Sequence, residues 1–215
     1  MAESALWAQL VEGASALGES LDEAQRAGFE TCLSLLQRWN QRINLTAIRD
    51  PRRIVTHHFL DSIAVLAALR NTGTDLPAGT SVVDVGSGAG FPGAVVSLLR
   101  PTWRVVLVER VQKKASFLIE LRRALGLSFE VRCCDVSEVT ETFDVAVSRA
   151  AFPPAQWIAQ GQKLVSPGGL MAVFLQATQL GEQQSIWPQN MRIFDPFPYE
   201  VDRDPHVIVV AQKAR

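Results

Sequence analysis

Apolar residues recur at helical spacing through the first 70 positions of the chain. Leu6, Leu10, Ala14 and Leu17 form one stripe; Phe29, Cys32, Leu36, Trp39 and Ile43 form a second, at spacings of 3, 4, 3 and 4. Ser20 and Glu23 make an S-x-x-E pattern, which predicts a capping box opening the second helix. Ile54, Phe59, Ile63 and Leu66 or Ala67 predict a third helix over 52–70. The stretch 71–80, NTGTDLPAGT, holds turn residues without periodicity and reads as a joint. Beyond it the rhythm changes to short apolar runs at 81–85, 104–109, 129–134, 143–147, 170–175 and 206–210, with helical stretches at 92–100, 111–126 and 155–165. Near-continuous apolar strands separated by helices predict a mostly parallel sheet covered on both faces. The segment 186–200 is Pro-rich, and the last two runs, about 191–194 and 206–212, have no helix between them. An antiparallel finish is expected. The chain thus divides into a helical part, 1–70, and an α/β domain, 71–215.

Composition narrows the class. Of 215 residues, 47% are hydrophobic and 20% charged, which excludes a disordered chain. No apolar run reaches the ~18 residues of a membrane span, and the opening MAESALWAQLVEG carries acids where a leader would carry bases. The expectation is a protein neither spanning a membrane nor secreted. Three cysteines, two of them adjacent, do not make a disulfide framework and fit a reducing cytoplasm. The formal net charge of −1 argues against a generally basic nucleic-acid coat, while leaving room for local patches.

The strongest chemical signal is Asp84-Val85-Gly86-Ser87-Gly88-Ala89-Gly90-Phe91-Pro92-Gly93, which follows a strand and opens a helix. Glycines there let the backbone turn sharply and approach a ligand. A dinucleotide fingerprint, G-x-G-x-x-G, would need glycine where Phe91 stands, and no Lys-Ser/Thr phosphate grip follows. Glu109 ends the next strand, 19 residues beyond Gly90, where an acid can accept from a ribose diol. Asp135, after the third strand, either faces an adenine amino group or caps the following turn. Cys133 and Cys134 read as small strand hydrophobes. Arg149, at the carboxyl end of the fourth strand, stands beside the ligand crevice. Ser166-Pro167-Gly168-Gly169 reads as a turn into a further strand. His58 reads as a hydrogen-bonded packing residue and no metal site is expected.

These residues resemble a class I S-adenosylmethionine-dependent methyltransferase. Residues from about 35 to 152 are similar to the bacterial small-subunit (16S) ribosomal RNA methyltransferase G family, also called glucose-inhibited division protein B. The likeness rests on Trp39-Asn40 with Asn44-Leu45-Thr46, His58-Phe59-Leu60-Asp61-Ser62, the DVGSGAGFPG loop, Lys113-Lys114 with Phe117-Leu118, and Ser148-Arg149-Ala150. It implies a Rossmann-like fold with a seven-stranded sheet whose final strand is antiparallel. It also places Gly86, Phe91, Asp135, Val136 and Arg149 on cofactor-contacting positions, and implies methylation of a guanine N7 in 16S rRNA. With the residue chemistry added, the expected cofactor site is Asp84, Gly86, Gly88, Gly90, Phe91, Glu109, Asp135, Val136 and Arg149.

The chemistry is compatible with that implication. Guanine N7 carries a free lone pair, so its methylation needs no general base, and none is evident. Ala151-Phe152-Pro153-Pro154 lacks the D/N-P-P-Y motif of exocyclic-amine methyltransferases, and the loop has no nucleophilic cysteine. Residues 37–53 and 110–123 each carry a local charge of +4. Lys113, Lys114, Arg122, Arg52 and Arg53 are the candidate RNA contacts, with solvated helix faces as the competing role. Three positions depart from the family pattern, with Cys134, Leu175 and Pro205 standing at or near basic family residues. Methylation of another RNA or a small molecule, or a catalytically silent cofactor-binding adaptor, therefore stays open. A monomer acting on 16S rRNA or the small subunit is expected.

Overall fold

The computed structural model describes residues 2–180 and 187–215, so the first residue of the Pro-rich 186–200 stretch lies outside it. Strands β1 (Ser81–Val85), β2 (Arg104–Val108), β3 (Glu130–Arg132), β4 (Phe143–Ser148) and β5 (Val165–Gln176) lie in the order β3-β2-β1-β4-β5, all parallel. β8 (Asp204–Lys213) runs antiparallel to β5, from Leu170 against Gln212 to Gln176 against His206. Its other edge is shared end to end by β6 (Met191–Ile193) and β7 (Phe197–Val201). The mostly parallel sheet with an antiparallel finish is as the sequence predicts, but among the described residues it has eight strands, not seven. β7 escapes a pattern reading because Pro198 interrupts it; a proline is tolerated there because β7 is an edge strand.

Successive strand residues alternate between two cores, as the two-residue period requires. Val82, Leu107, Val145, Ala172 and Ile208 face one side, where α4 (Asp61–Asn71), α5 (Gly93–Leu99) and α6 (Gln112–Leu125) pack. Val83, Val106, Ala146, Met171 and Val209 face the other, which is covered by Trp157 and Ile158 of α7 (Pro154–Leu164). Trp157 donates its indole N–H to Ala172 O at 2.9 Å, so its polar atom is not stranded. Among the described residues no helix is long and apolar enough to cross a membrane.

The helical segment joins the first core. α1 (Ala2–Ala16) contributes Leu6, Leu10 and Ala14, and α2 (Glu23–Asn40) contributes Phe29, Cys32 and Leu36. Phe29 is fully buried with its ring 4.9 Å from that of Phe59. Helix α2 is capped by Asp22 and Gln25 in a reciprocal box, so the predicted Ser20–Glu23 box is displaced by two residues. Glu19 has a different task. It is buried and takes Arg100 on both oxygens, at 2.7 and 2.9 Å, and Arg70 at 2.6 Å. Burial raises its pKa, but the two guanidiniums prevail and hold it below the usual range. The α1–α2 corner is thereby clamped to the ends of α4 and α5.

The predicted 52–70 helix is continuous but not uniform. It runs through α3 (Pro51–Ile54), a π-helical turn (Val55–Leu60) and α4. The wider turn re-aims His57 and His58, and such turns are common at functional sites. Ser166-Pro167-Gly168-Gly169 lies within β5 as a bulge against Phe143 and Val145, so the expected turn bends a strand that has already begun.

Candidate functional site

The loop after β1 is built from beneath. Asp84 is fully buried, and its Oδ2 accepts the Gly93 N–H at 2.8 Å. A Cβ at position 93 would lie 2.8 Å from that oxygen, so glycine is what allows the contact. Burial pushes Asp84 up to about 7, against the lowering effects of the Gly93 bond and of the nearby Arg149 charge. The sequence placed Asp84 among cofactor contacts; it is a support under the loop and has no surface in the cavity above. Gly90 is likewise buried, against Leu118, Leu121 and Ala94. Gly86, with φ +72°, does face the cavity, and a Cβ on it would sit 2.3 Å from that of Ala151. Two loops can therefore meet only over a glycine.

Glu109, at the end of β2, is 5% exposed. Its Oε2 accepts from Gly88 N at 2.9 Å and its Oε1 from Val111 N at 2.8 Å. Each oxygen keeps a second lone pair, and the residue lines the cavity. Asp135 caps the turn at Val136–Glu138 through Ser137 N at 3.0 Å and Ser137 Oγ at 2.7 Å, both to Oδ1. The capping role is thus realised, and Asp135 also lines the cavity.

Arg149 faces the helical segment. One terminal nitrogen donates to Asp61 Oδ2 at 2.7 Å and to His57 O at 2.8 Å; the other lies 3.0 Å from His58 Nδ1. His58 Nδ1 also lies 3.0 Å from His57 O, and its Nε2 lies 2.8 Å from Thr46 Oγ1, so both ring nitrogens have polar partners. Desolvation, reinforced by the Arg149 charge, pushes His58 down to about 3, so it is neutral at pH 7. Its ring stacks on Phe91 with centroids 4.8 Å apart. Thr46 is held in turn by Asn40, whose Oδ1 accepts from Leu45 N and Thr46 N, and whose amide donates to Thr46 O. Asp61 closes the chain by accepting the Tyr199 hydroxyl from β7. Burial and the Asp61 carboxylate raise the Tyr199 pKa, so it stays protonated.

This wall separates two cavities. The larger, about 570 Å³, is lined by Gly86, Gly88, Phe91, Glu109, Asp135, Val136 and Arg149 of the predicted cofactor set, with Thr46, His58, Lys114, Cys134 and Phe152 added. The second, about 460 Å³, lies across Arg149 and shares His58, Arg149, Ala150 and Phe152 with it. Ala150 takes a left-handed φ of +56° between them, a strained state for a residue with a Cβ. Sequence reasoning missed Thr46 and the second cavity, although the Asn-Leu-Thr and His-x-x-Asp spacings carried the signal.

The predicted RNA contacts are not equally available. Arg53 lies 3.7 Å from Asp202, and Arg122 donates to Phe129 O at 3.4 Å. Arg52 and Lys113 are exposed, and Lys114 borders the cavity. Leu175 is only 3% exposed, packs with Val173 and Val207 in the α7-side core and also lines the second cavity. Cys134 lines the cavity and Pro205 is exposed near the β7–β8 turn. Among the described residues no three His, Cys, Asp or Glu side chains are placed to hold a metal ion.

A family model described as rRNA small subunit methyltransferase G (GidB) matches residues 25–193. A protein named ribosomal RNA small subunit methyltransferase G from Burkholderia ambifaria is 40% identical over 74% of this chain and 71% of its own. One of the same name from Burkholderia lata is 34% identical over 94% of this chain and 90% of its own. Among solved structures, the magnesium protoporphyrin IX methyltransferase from Synechocystis PCC 6803, with bound SAM, superposes with a TM-score of 0.58. That match has 14% identity and covers 91% of this chain and 99% of the other, a likeness of fold.

Proposed function

The chain belongs to the rRNA small subunit methyltransferase G family, and from that premise we propose that it methylates N7 of a guanine in 16S rRNA. It is an S-adenosylmethionine-dependent rRNA methyltransferase. The observation that carries the finer reading is the His58–Arg149–Phe91 wall. There the helical segment, the glycine loop and the end of β4 meet on one cavity.

The cavity suits S-adenosylmethionine. Its volume falls in the ordinary range for cofactor sites. Gly86 and Gly88 both line it, and Gly86 lets the Ala151 loop close over the glycine loop, so the cavity is bounded by two loops in contact. The neutral His58 adds no positive charge to repel a sulfonium. In this reading Gly86 and Gly88 hold the methionine end, the free lone pairs of Glu109 accept from the ribose hydroxyls, and Asp135 with Val136 meets the adenine. When bound, the cofactor supplies an electrophilic methyl group.

The residues of the chain then have three tasks. Guanine N7 attacks with a lone pair it already has, so no side chain need take a proton, and alignment supplies the rate. Arg149, fixed by Asp61 and the His57 carbonyl and packed beside His58, keeps the passage between the two cavities in one shape. Phe91 and Phe152 exclude water from it. Lys113, Lys114 and Arg52 hold backbone phosphates, with weaker contributions from Arg122 and Arg53, which have partners of their own. The protein works as a cytoplasmic monomer without a metal. Methylation of another RNA or a small molecule, or silent binding as an adaptor, is the competing reading.

The test is transfer of radiolabelled methyl to small ribosomal subunits lacking N7 methylation, with the labelled nucleotide mapped. One labelled guanine N7 is the expected result. Protein that binds S-adenosylmethionine and labels no guanine N7 in the subunit would overturn the proposal.

A further inference from the structure

The second cavity holds a polar feature that the proposed function leaves unused. At the carboxyl end of β5, Gln176 and Gln179 cap each other across one turn. Gln176 N donates to Gln179 Oε1 at 2.9 Å, and the Gln176 side chain accepts from Gln179 N. Both amide oxygens are therefore committed to backbone N–H groups, which fixes both amides against flipping. Each NH2 is left as a donor without a partner among the described residues, and both residues line the cavity. The lining also includes the aromatic rings of Phe152, Phe174, Tyr199 and His206, together with the charged Asp61 and Arg149. Phe152 and Arg149 also line the cofactor cavity, so whatever occupies this space abuts the cofactor.

We propose that this cavity receives the target guanine, turned out of its RNA, and that the paired amides of Gln176 and Gln179 select it by donating to O6. The assignment rests on the guanine-N7 reading above and names the residues that make the choice of base. Guanine presents N7 and O6 as adjacent acceptors, whereas adenine presents an N6 amino donor beside its N7. A base with N7 toward the cofactor therefore carries O6 near the same wall. Donor amides satisfy guanine there and meet adenine donor to donor, leaving polar groups unpaired once the base covers them. About 460 Å³ with aromatic walls accommodates a stacked purine.

The decisive variant is Gln176→Glu. It keeps the oxygen that accepts from Gln179 N, and so the turn, but replaces the donor NH2 with an acceptor. Thr178→Glu, exposed on the same turn and outside the cavity lining, places the same charge nearby as the control. Three quantities are measured: S-adenosylmethionine Kd by calorimetry, and kcat and KM for small subunits lacking N7 methylation. Gln176→Glu is expected to lower kcat/KM for subunits about thirtyfold or more, with cofactor Kd within about twofold. Thr178→Glu should change kcat/KM by less than about threefold. Equal effects of the two variants, or no effect of Gln176→Glu, would overturn the assignment while leaving the methyltransferase reading intact. A wild-type protein that labels no guanine N7 would overturn both.

Discussion

The inner wall of the cofactor cavity and its rim are built on opposite plans. In the wall and the supports behind it, Asp84, His58, Asp61 and Arg149 are buried or nearly so, and their charges and polar atoms are spent mostly on one another or on backbone. On the rim, Asp135 and Lys113 are exposed, and Lys114 and Asp135 border the cavity with capacity to spare. Position is thus set by groups that have little left to offer a ligand, and contact is made by groups that hold little of the fold. A wall variant should disturb geometry and stability together, whereas a rim variant should change one affinity and leave the protein intact.

Gly86→Val attacks the wall most directly. A left-handed φ costs a branched residue roughly 1–2 kcal/mol, and overpacking against Ala151 roughly 1–3 more. Cofactor Kd measured by calorimetry should rise by about a hundredfold. Arg149→Met leaves Asp61 buried without its cation and should cost roughly 3 kcal/mol in urea denaturation, while subunit methylation collapses. Arg149→Lys should rescue little, because one ammonium cannot reach Asp61, His57 O and His58 together.

How far these roles are readable from the chain alone follows from sequence distance. The glycine loop and the strands are local patterns, and they fall where periodicity and spacing predict. Arg149 stands out at the end of its strand, but its partners His57, His58 and Asp61 are 92, 91 and 88 residues away, and no local pattern pairs them. Asp84 reads as a contact in the chain alone because motif spacing cannot distinguish an acid beneath a loop from one above it. The edge strand β7 and its Tyr199 were hidden by Pro198. The second cavity depends on chain ends and loops that meet only in the folded sheet.

Asp84 also gives the comparison a pH signature. Its folded pKa is raised above the usual value of about 4 to about 7. The folded state therefore holds a proton that the unfolded state has released. Stability falls as pH rises between those values, by up to about 1.4 kcal/mol per unit, and levels off above them. Asp84→Asn keeps an acceptor for Gly93 N and cannot ionise. The stability difference between variant and wild type, followed by thermal denaturation from pH 4 to 8, should shift toward the variant with rising pH. A flat difference would mean that Asp84 titrates normally.

Rim variants should be milder and separable. Asp135→Ala should weaken cofactor binding about tenfold with a stability loss of about 1 kcal/mol from the lost cap. Lys113→Ala should leave cofactor Kd unchanged. Its weaker subunit binding should show as a salt slope shallower by about 0.7–0.9, the signature of one phosphate contact removed.

The claim that wall residues act by holding geometry is tested most directly at Asp61, which touches Arg149 and Tyr199 and lines the second cavity but not that of the cofactor. The measurement is single-turnover methyl transfer by Asp61→Asn at saturating S-adenosylmethionine and small subunits. A rate at least about tenfold below wild type, from a protein that still binds both partners, is the predicted result. A wild-type rate would contradict it, because Arg149 would then hold its place without its buried partner.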